Sequence, residues 1–213
     1  MSIVRPEFGP TLPEMLGPRV RALPRVARLA LAAGAAALVL LAIVLVATRG
    51  AGVQTAQVDR TAAPFNVQYA APLHRTAPRA GEVLRLETAD GSSSFVVRPL
   101  LVPPYRGDVS AQLLAIATRL TGEMRRSVPG FLLRQEGRAR IANQPGYQLQ
   151  YQFSEGGRTA YGRRVLITPG GPHDRTGADI DLRVPRSARV PTFDSAGSTG
   201  AVKLPLRSFH FGS

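Results

Sequence analysis

From Leu29 to Thr48 the chain reads LALAAGAAALVLLAIVLVAT, twenty residues without a charge, closed by Arg28 on one side and Arg49 on the other. A helix rises ~1.5 Å per residue, so this run spans roughly 30 Å, the thickness of a bilayer's hydrocarbon core. A buried helix of a globular domain would show a polar stripe, and this run is apolar or small all round. The expectation is a single transmembrane helix over 29–48. A cleaved signal peptide has a shorter apolar region followed promptly by a small-residue cleavage site; Arg49 interrupts here, so the anchor is expected to stay uncleaved. Arg19, Arg21, Arg25 and Arg28 crowd the N-terminal flank, whereas Arg49 and Arg60 are sparser beyond it. The positive-inside rule then puts the N-terminus in the cytoplasm and the chain beyond Arg49 outside.

That placement bears on the charge. The whole chain carries a formal +13, and every basic residue except Lys203 is arginine. Residues 49–213 hold 22 basic and 12 acidic side chains, a net +10. Outside a membrane, anionic lipid headgroups or cell-envelope polymers are more fitting counterparts than nucleic acid, although dispersed arginine also serves simply to keep a surface solvated. The chain has no cysteine, which removes disulfides, thiolate nucleophiles and Cys-ligated zinc.

The segment over 1–28 is interrupted by Pro6, Pro10, Pro13, Pro18 and Pro24 and reads as a cytoplasmic tail that no long helix can cross. Residues 49–80, rich in Ala, Thr and Pro, read as a flexible linker. From Gly81 to 212 the texture changes to that of an extracytoplasmic α+β domain. GEVLRLET and SFVVRPL flank ADGSS, whose Asp90-Gly91 pair predicts a hairpin. A helix follows, capped by Asp108 or Ser110, with Leu113, Ile116, Leu120 and Met124, joined by Leu114 and Ala117, as its apolar stripe; VPG ends it. FLLRQ and RARI read as short strands around Gly137, and NQPG turns the chain into YQLQYQF. There Tyr147, Leu149, Tyr151 and Phe153 share one face and Gln148, Gln150 and Gln152 the other. A three-residue loop of Glu155, Gly156 and Gly157 would set Tyr151 opposite Tyr161 and Tyr147 opposite Val165. ADIDLRV predicts a further strand, VPRSARVPTFDSAGSTG a long loop or irregular helix, and KLPLRSFHFGS a closing strand.

Chemistry-bearing residues are few. His173 and Asp174 fall in PGGPHDRTG, whose Pro and Gly content marks an exposed turn, and neighbours in a turn do not build a triad. Asp179 and Asp181 share a strand face and would suit a hard cation. Arg183 joins that face and Arg164 is expected across from Asp181, so a cross-strand ion ladder is the better account and no metal site is assigned. His74, His173 and His210 are far apart in sequence. No G-x-S-x-G elbow, P-loop, G-x-G-x-x-G or H-E-x-x-H occurs, so no catalytic residue, no cofactor and no enzymatic activity are assigned. One residue breaks the pattern. Every second position from Tyr161 reads Tyr161, Arg163, Val165 and Ile167, so a face that should be apolar contains a cation. A half-buried strand end or a bulge would account for it. The functional account places Arg163 beside Tyr147 and Tyr151 as a ligand-binding group for an anionic headgroup or carboxylate.

The order hairpin, helix, antiparallel strands, late crossover and closing strand, carried by EGRARIANQPGYQLQYQF, GRRVLI and PLRSFHF, resembles the PsbP-like fold over about 81–212. It is most similar to extracytoplasmic domains of actinobacterial membrane-anchored or secreted proteins. The resemblance implies an antiparallel sheet with one or two packed helices and an accessory or binding role. Pro191, Gly197 and Gly200 leave open whether a second helix precedes the last strand. The expected function is therefore that of a membrane-anchored domain working in the cell envelope through a protein partner or an anionic polymer or lipid. The alternatives are an envelope enzyme with an unfamiliar site, or a carrier of a small apolar ligand between sheet and helix.

Overall fold

The computed structural model describes residues 52–107, 109–141, 143–170 and 175–212, together with 24, 26, 27, 30 and 33–41. Most of the expected tail and half of the span expected over 29–48 lie outside the described residues, as do Asp108, His173 and Asp174. Residues 33–41 are helical, with Leu38, Val39, Leu40 and Leu41 exposed. No helix among the described residues is long and apolar enough to cross a membrane. Residues Met1–Gly52 form one unit and Val53–Ser213 another; both sheets and their packed helices belong to the second.

The segment expected to be a linker is folded. Its residues form β1 (Val53–Val58), β2 (Phe65–Ala70) and β3 (Leu73–Thr76). The reason is burial: in FNVQYA every second side chain, Phe65, Val67 and Tyr69, enters the core, a period-two pattern that a short strand needs and a linker does not. Then come β4 (Leu84–Thr88) and β5 (Ser94–Leu101), the expected hairpin, paired antiparallel across a turn in which Asp90 Oδ1 accepts from Thr88 Oγ1 and from the Ser92 N–H and hydroxyl. Helix α1 (Val109–Ser127) follows as expected. Leu113, Ile116, Ala117 and Met124 are buried and Leu120 half-buried, but Leu114 is exposed and does not belong to the stripe.

FLLRQ and RARI belong to one strand, β6 (Leu132–Ile141), which passes through Gly137 with a register shift between Leu133 and Gln135. It pairs with β7 (Gln144–Glu155). Asn143, at φ 67°, serves the tight turn, so Pro145 and Gly146 are strand rather than turn residues. β8 (Arg158–Ile167) and β9 (Thr176–Pro185) complete the run. The end of the chain differs from expectation. KLPLRS is not strand but helix α2 (Lys203–Ser208), with Pro205 in the first turn where its missing N–H costs nothing. Only β10 (His210–Phe211) is extended.

Seven strands make one antiparallel sheet in the order β3-β4-β5-β9-β8-β7-β6, and β1-β2-β10 make a smaller one. One face of the large sheet packs on the small sheet and α2. Phe95, Val97, Val165, Ile167, Ile180 and Leu182 meet Phe65, Val67, Leu206 and Phe209 there, with the Phe65 and Phe209 rings stacked 4.9 Å apart. The other face carries α1, where Leu113 and Ile116 close on Tyr147, Leu149 and Leu166. The expected α+β architecture is present, in three layers with two helices.

Candidate functional site

The β7–β8 turn decides which side chains can act together. Gly156 and Gly157 both take positive φ, 54° and 75°, and supply the two left-handed positions of a two-residue hairpin loop, so Glu155 pairs with Arg158. The three-residue loop expected from sequence is thus one residue too long. Tyr151 lies opposite Gly162, not Tyr161, and Tyr147 opposite Leu166, not Val165. A slip of one residue turns a strand over. Tyr147 and Tyr151 therefore face α1, whereas Arg163 is on the opposite face among the small-sheet core, and the structure does not bring the expected trio together.

On the α1 side Gly162 permits an unusual reach. Tyr151 is fully buried and lies across β8 at this glycine, where a Cβ would come within 2.1 Å of the ring. Its hydroxyl donates to Asp181 Oδ1 on β9 at 2.7 Å. Burial pushes this phenol well above its usual 10, and the Asp181 charge pushes it the same way, so it stays protonated and donating. Asp181 also accepts from Arg183 Nε at 3.3 Å, and Arg164 Nε donates to Asp179 Oδ1 at 2.7 Å. The ladder expected from sequence is present, with Arg164 paired across from Asp181 in register and bonded to Asp179. Asp179 and Asp181 are both engaged by guanidinium groups rather than arranged around an open coordination position.

The network continues over β4 and β5. Arg85 bonds Glu82 Oε2 at 2.7 Å and also Glu87, and Arg98 reaches Glu82 and Asp181. Burial alone would push Glu82 up. Hydrogen bonds from Arg85 and the Arg79 N–H, with the Arg85 and Arg98 charges, outweigh it and hold the carboxyl below the usual 4.5. A carboxyl depressed in the folded state contributes stability above its unfolded pKa and loses it as pH falls through the folded value. The melting temperature is therefore expected to hold down to about pH 5 and to fall below about pH 4.5. Glu82→Gln should lower it at neutral pH and flatten the acid slope, and an unchanged slope would remove Glu82 from the account.

The opposite face holds the second cluster. Arg163 projects toward the small-sheet core between its cross-strand neighbours Gln150 and Leu182. Its Nε is buried without a hydrogen-bond partner, and so is the neighbouring Gln150 Oε1. The guanidinium borders an open cavity of about 260 Å³ formed with Arg140, Ile141, Gly197, Ser198, Leu206 and Arg207. Gly197, at φ 83°, presses the loop before α2 so close that a Cβ there would meet Leu206 at 2.7 Å and the Arg163 stem at 3.6 Å. No carboxylate lines the cavity, and none of its three arginines forms an ion pair among the described residues. Arg85, Arg164 and Arg183 are held above the ordinary guanidinium value by carboxylates that overcome their burial; at Arg163 burial lowers the value and nothing opposes it.

Sequence reasoning found Arg163 because it breaks an alternation. It missed Arg207, which reaches the cavity only because KLPLRS is helical, and Arg140, on the edge strand. It also missed the Tyr151–Asp181 bond, whose one sequence signal is a glycine inside a strand. His74 and His210 are in different sheets, and the His210 ring nitrogen lies 2.8 Å from Ser208 O.

No protein-family model matches the chain, and no curated protein sequence does. Among solved structures it is similar to the cyanobacterial PsbP protein CyanoP of Synechocystis, with a TM-score of 0.51 at 13% identity over 76% of this chain and 93% of that one. LpqN of Mycobacterium tuberculosis, described as involved in cell envelope biogenesis, gives 0.49 at 10% identity over 76% and 92%. The Ran-binding protein Mog1p of Saccharomyces cerevisiae gives 0.45 at 12% over 74% and 95%. With antiparallel strands in the order seen here, α1 on one face and α2 on the other, the domain has a PsbP-like fold.

Proposed function

We propose that the protein is a membrane-anchored binding or accessory domain of the cell envelope, with its N-terminus in the cytoplasm and Val53–Ser213 outside, and that it recognises an anionic partner rather than transforming a substrate. The observation that carries this reading is the arginine-lined cavity around the half-buried Arg163, whose buried Nε has no hydrogen-bond partner and which no carboxylate answers among the described residues. A charge partly withdrawn from water without a counter-ion is costly, and a guanidinium fork so placed suits a carboxylate or phosphate supplied from outside. The twenty-residue apolar run and the arginines before it supply the anchor and its orientation. The interior argues against an apolar carrier, because the space between α1 and the sheet is filled by Leu113, Ile116, Tyr147, Leu149 and Leu166.

Two measurements test the two halves. A reporter fused after Ser213 is expected to be active only in its exported form, and the mature chain should retain its own N-terminus; activity only in the cytoplasm, or a mature N-terminus beyond Thr48, removes the anchor. Binding of the full chain to a soluble polyanion should weaken with salt and with Arg163→Gln. Salt-sensitive binding that ignores Arg163→Gln would place the partner elsewhere.

A further inference from the structure

We infer that the cavity around Arg163 is a phosphoryl-binding site, with Arg163 as its inner anchor and Arg207, with Arg140, at its rim. This rests on the anion-binding reading above and narrows it to one ligand chemistry.

The other arginine-rich surface cannot serve. In the dish on the α1 side, Arg85, Arg98 and Arg183 are matched by Glu82, Glu87 and Asp181, and an incoming anion would have to displace carboxylates already bonded. At Arg163 there is nothing to displace. The anchor is preset, because strand β8 fixes one end of the side chain and the Gly197 loop lies against its stem. A side chain held in this way loses little freedom on binding, which is where much of an arginine's cost of recognition otherwise lies.

The number of cations selects the ligand. A single carboxylate carries one charge and two oxygens, which one guanidinium fork satisfies. A phosphoryl group carries about −1 as a diester and about −1.5 to −2 as a monoester near neutral pH, and a monoester offers three strong acceptor oxygens. Three arginines around one cavity fit the second kind of ligand. The volume, about 260 Å³, suits a phosphate with its first ester group and not a large organic molecule, which takes ~300–1,000 Å³. Ser198, whose hydroxyl donates to Asp194 O at 3.4 Å, completes the wall. Strand alternation directs the Arg140 Cβ away from Ile141, toward the α1 side, so it joins at the free edge of β6. Arg163 and Arg207 should accordingly dominate.

The phosphoryl group could belong to a lipid headgroup or to a soluble or polymeric ester, and the test separates them. The full chain, labelled with nitrogen-15 in neutral detergent, is titrated with inorganic phosphate, glycerol phosphate, dihexanoyl phosphatidylglycerol, acetate and a short polyglutamate at matched ionic strength. The arginine Nε–H signals and the melting temperature are followed. Phosphate and its esters are expected to bind about tenfold more tightly than acetate and to shift the Arg163 signal. Arg163→Gln should abolish this and Arg207→Gln, at an exposed position, should weaken it severalfold; Arg119→Gln, on the exposed face of α1, should leave it unchanged. Arg163→Lys keeps the charge without the fork and is expected to bind weakly, which covers the case in which Arg163→Gln does not fold. Tighter binding of the phosphatidylglycerol than of glycerol phosphate assigns the lipid source, and the reverse order assigns a soluble or polymeric ester. Polyglutamate bound as well as phosphate, and lost with Arg163→Gln, overturns the phosphoryl assignment while leaving the anion reading intact. Failure of every anion overturns both. A result in which Arg163→Gln costs stability and leaves phosphate binding unchanged overturns the assignment of the site to Arg163, which would then serve only the packing of the core.

Discussion

A chain that begins at Gly81 is expected not to fold, whereas one that begins at Val53 is expected to unfold cooperatively on heating. The difference is β1, β2 and β3. Together they bring Val58, Phe65, Val67, Tyr69 and Leu73 into the core, each at most 9% exposed. Burying side chains of this size contributes ~1.5–3 kcal/mol apiece, so the five account for about 10 kcal/mol before entropy is counted. The net stability of a domain is only about 5–15 kcal/mol. The truncated chain would also expose the face of the large sheet that holds Phe95, Val97, Ile180 and Leu182. Dispersed amide resonances and a cooperative melt from residues 81–213 would show that the small sheet is an appendage.

Asp181→Ala is expected to destabilise the domain by about 3 kcal/mol, the low end of the range for removing one member of a buried charge cluster. The carboxylate is 3% exposed and answers Tyr151, Arg183 and Arg98 at once. Its loss leaves the Tyr151 hydroxyl as a buried donor with no acceptor, and the two arginines with less to offset their burial. The cost stays at that low end because the Arg98 and Arg183 side chains are 29% and 34% exposed and regain part of their hydration. Tyr151→Phe removes one bond and leaves Asp181 its guanidinium partners, so its cost should be about 1 kcal/mol. Urea titrations followed by tyrosine fluorescence, in a chain without tryptophan, give both values from the midpoints at constant slope. Equal costs for the two variants would show that the arginines do not depend on Asp181.

The elements read correctly from sequence are those whose own side chains carry the period: the β4–β5 hairpin with its Asp90-Gly91 turn, the stripe of α1, and the alternations of β7 and β9. Those misread depend on something farther off. FNVQYA alternates as cleanly as YQLQYQF, yet it is short and sits between prolines in Ala- and Thr-rich sequence, and its stability comes from a sheet that forms later in the chain. KLPLRS contains a proline that reads as a helix breaker and is harmless in a first turn. The β7–β8 register hung on whether Glu155 belonged to the turn, and two adjacent glycines suffice for the tightest loop. That one residue separated Arg163 from the two tyrosines assigned to it. The site was therefore legible as a single exception to a pattern, while its partners Arg207 and Arg140 were not, because no local signal tells which arginines a crossover will bring together.

The outer strand of the large sheet has a consequence for the protein in a crowd. Among the described residues no strand pairs beyond β6, and β6 is ten residues long, a length of open backbone that ordinarily invites a second molecule to add itself. Arg134, Glu136, Arg138 and Arg140 stand along it, and its spacing is broken between Leu133 and Gln135. Arg134 already gives a hydrogen bond to Gln152 Oε1 inside its own molecule. A newcomer would have to match an irregular ladder while setting its side chains against both signs of charge, so neighbouring copies confined at high density can collide along this border without polymerising through it.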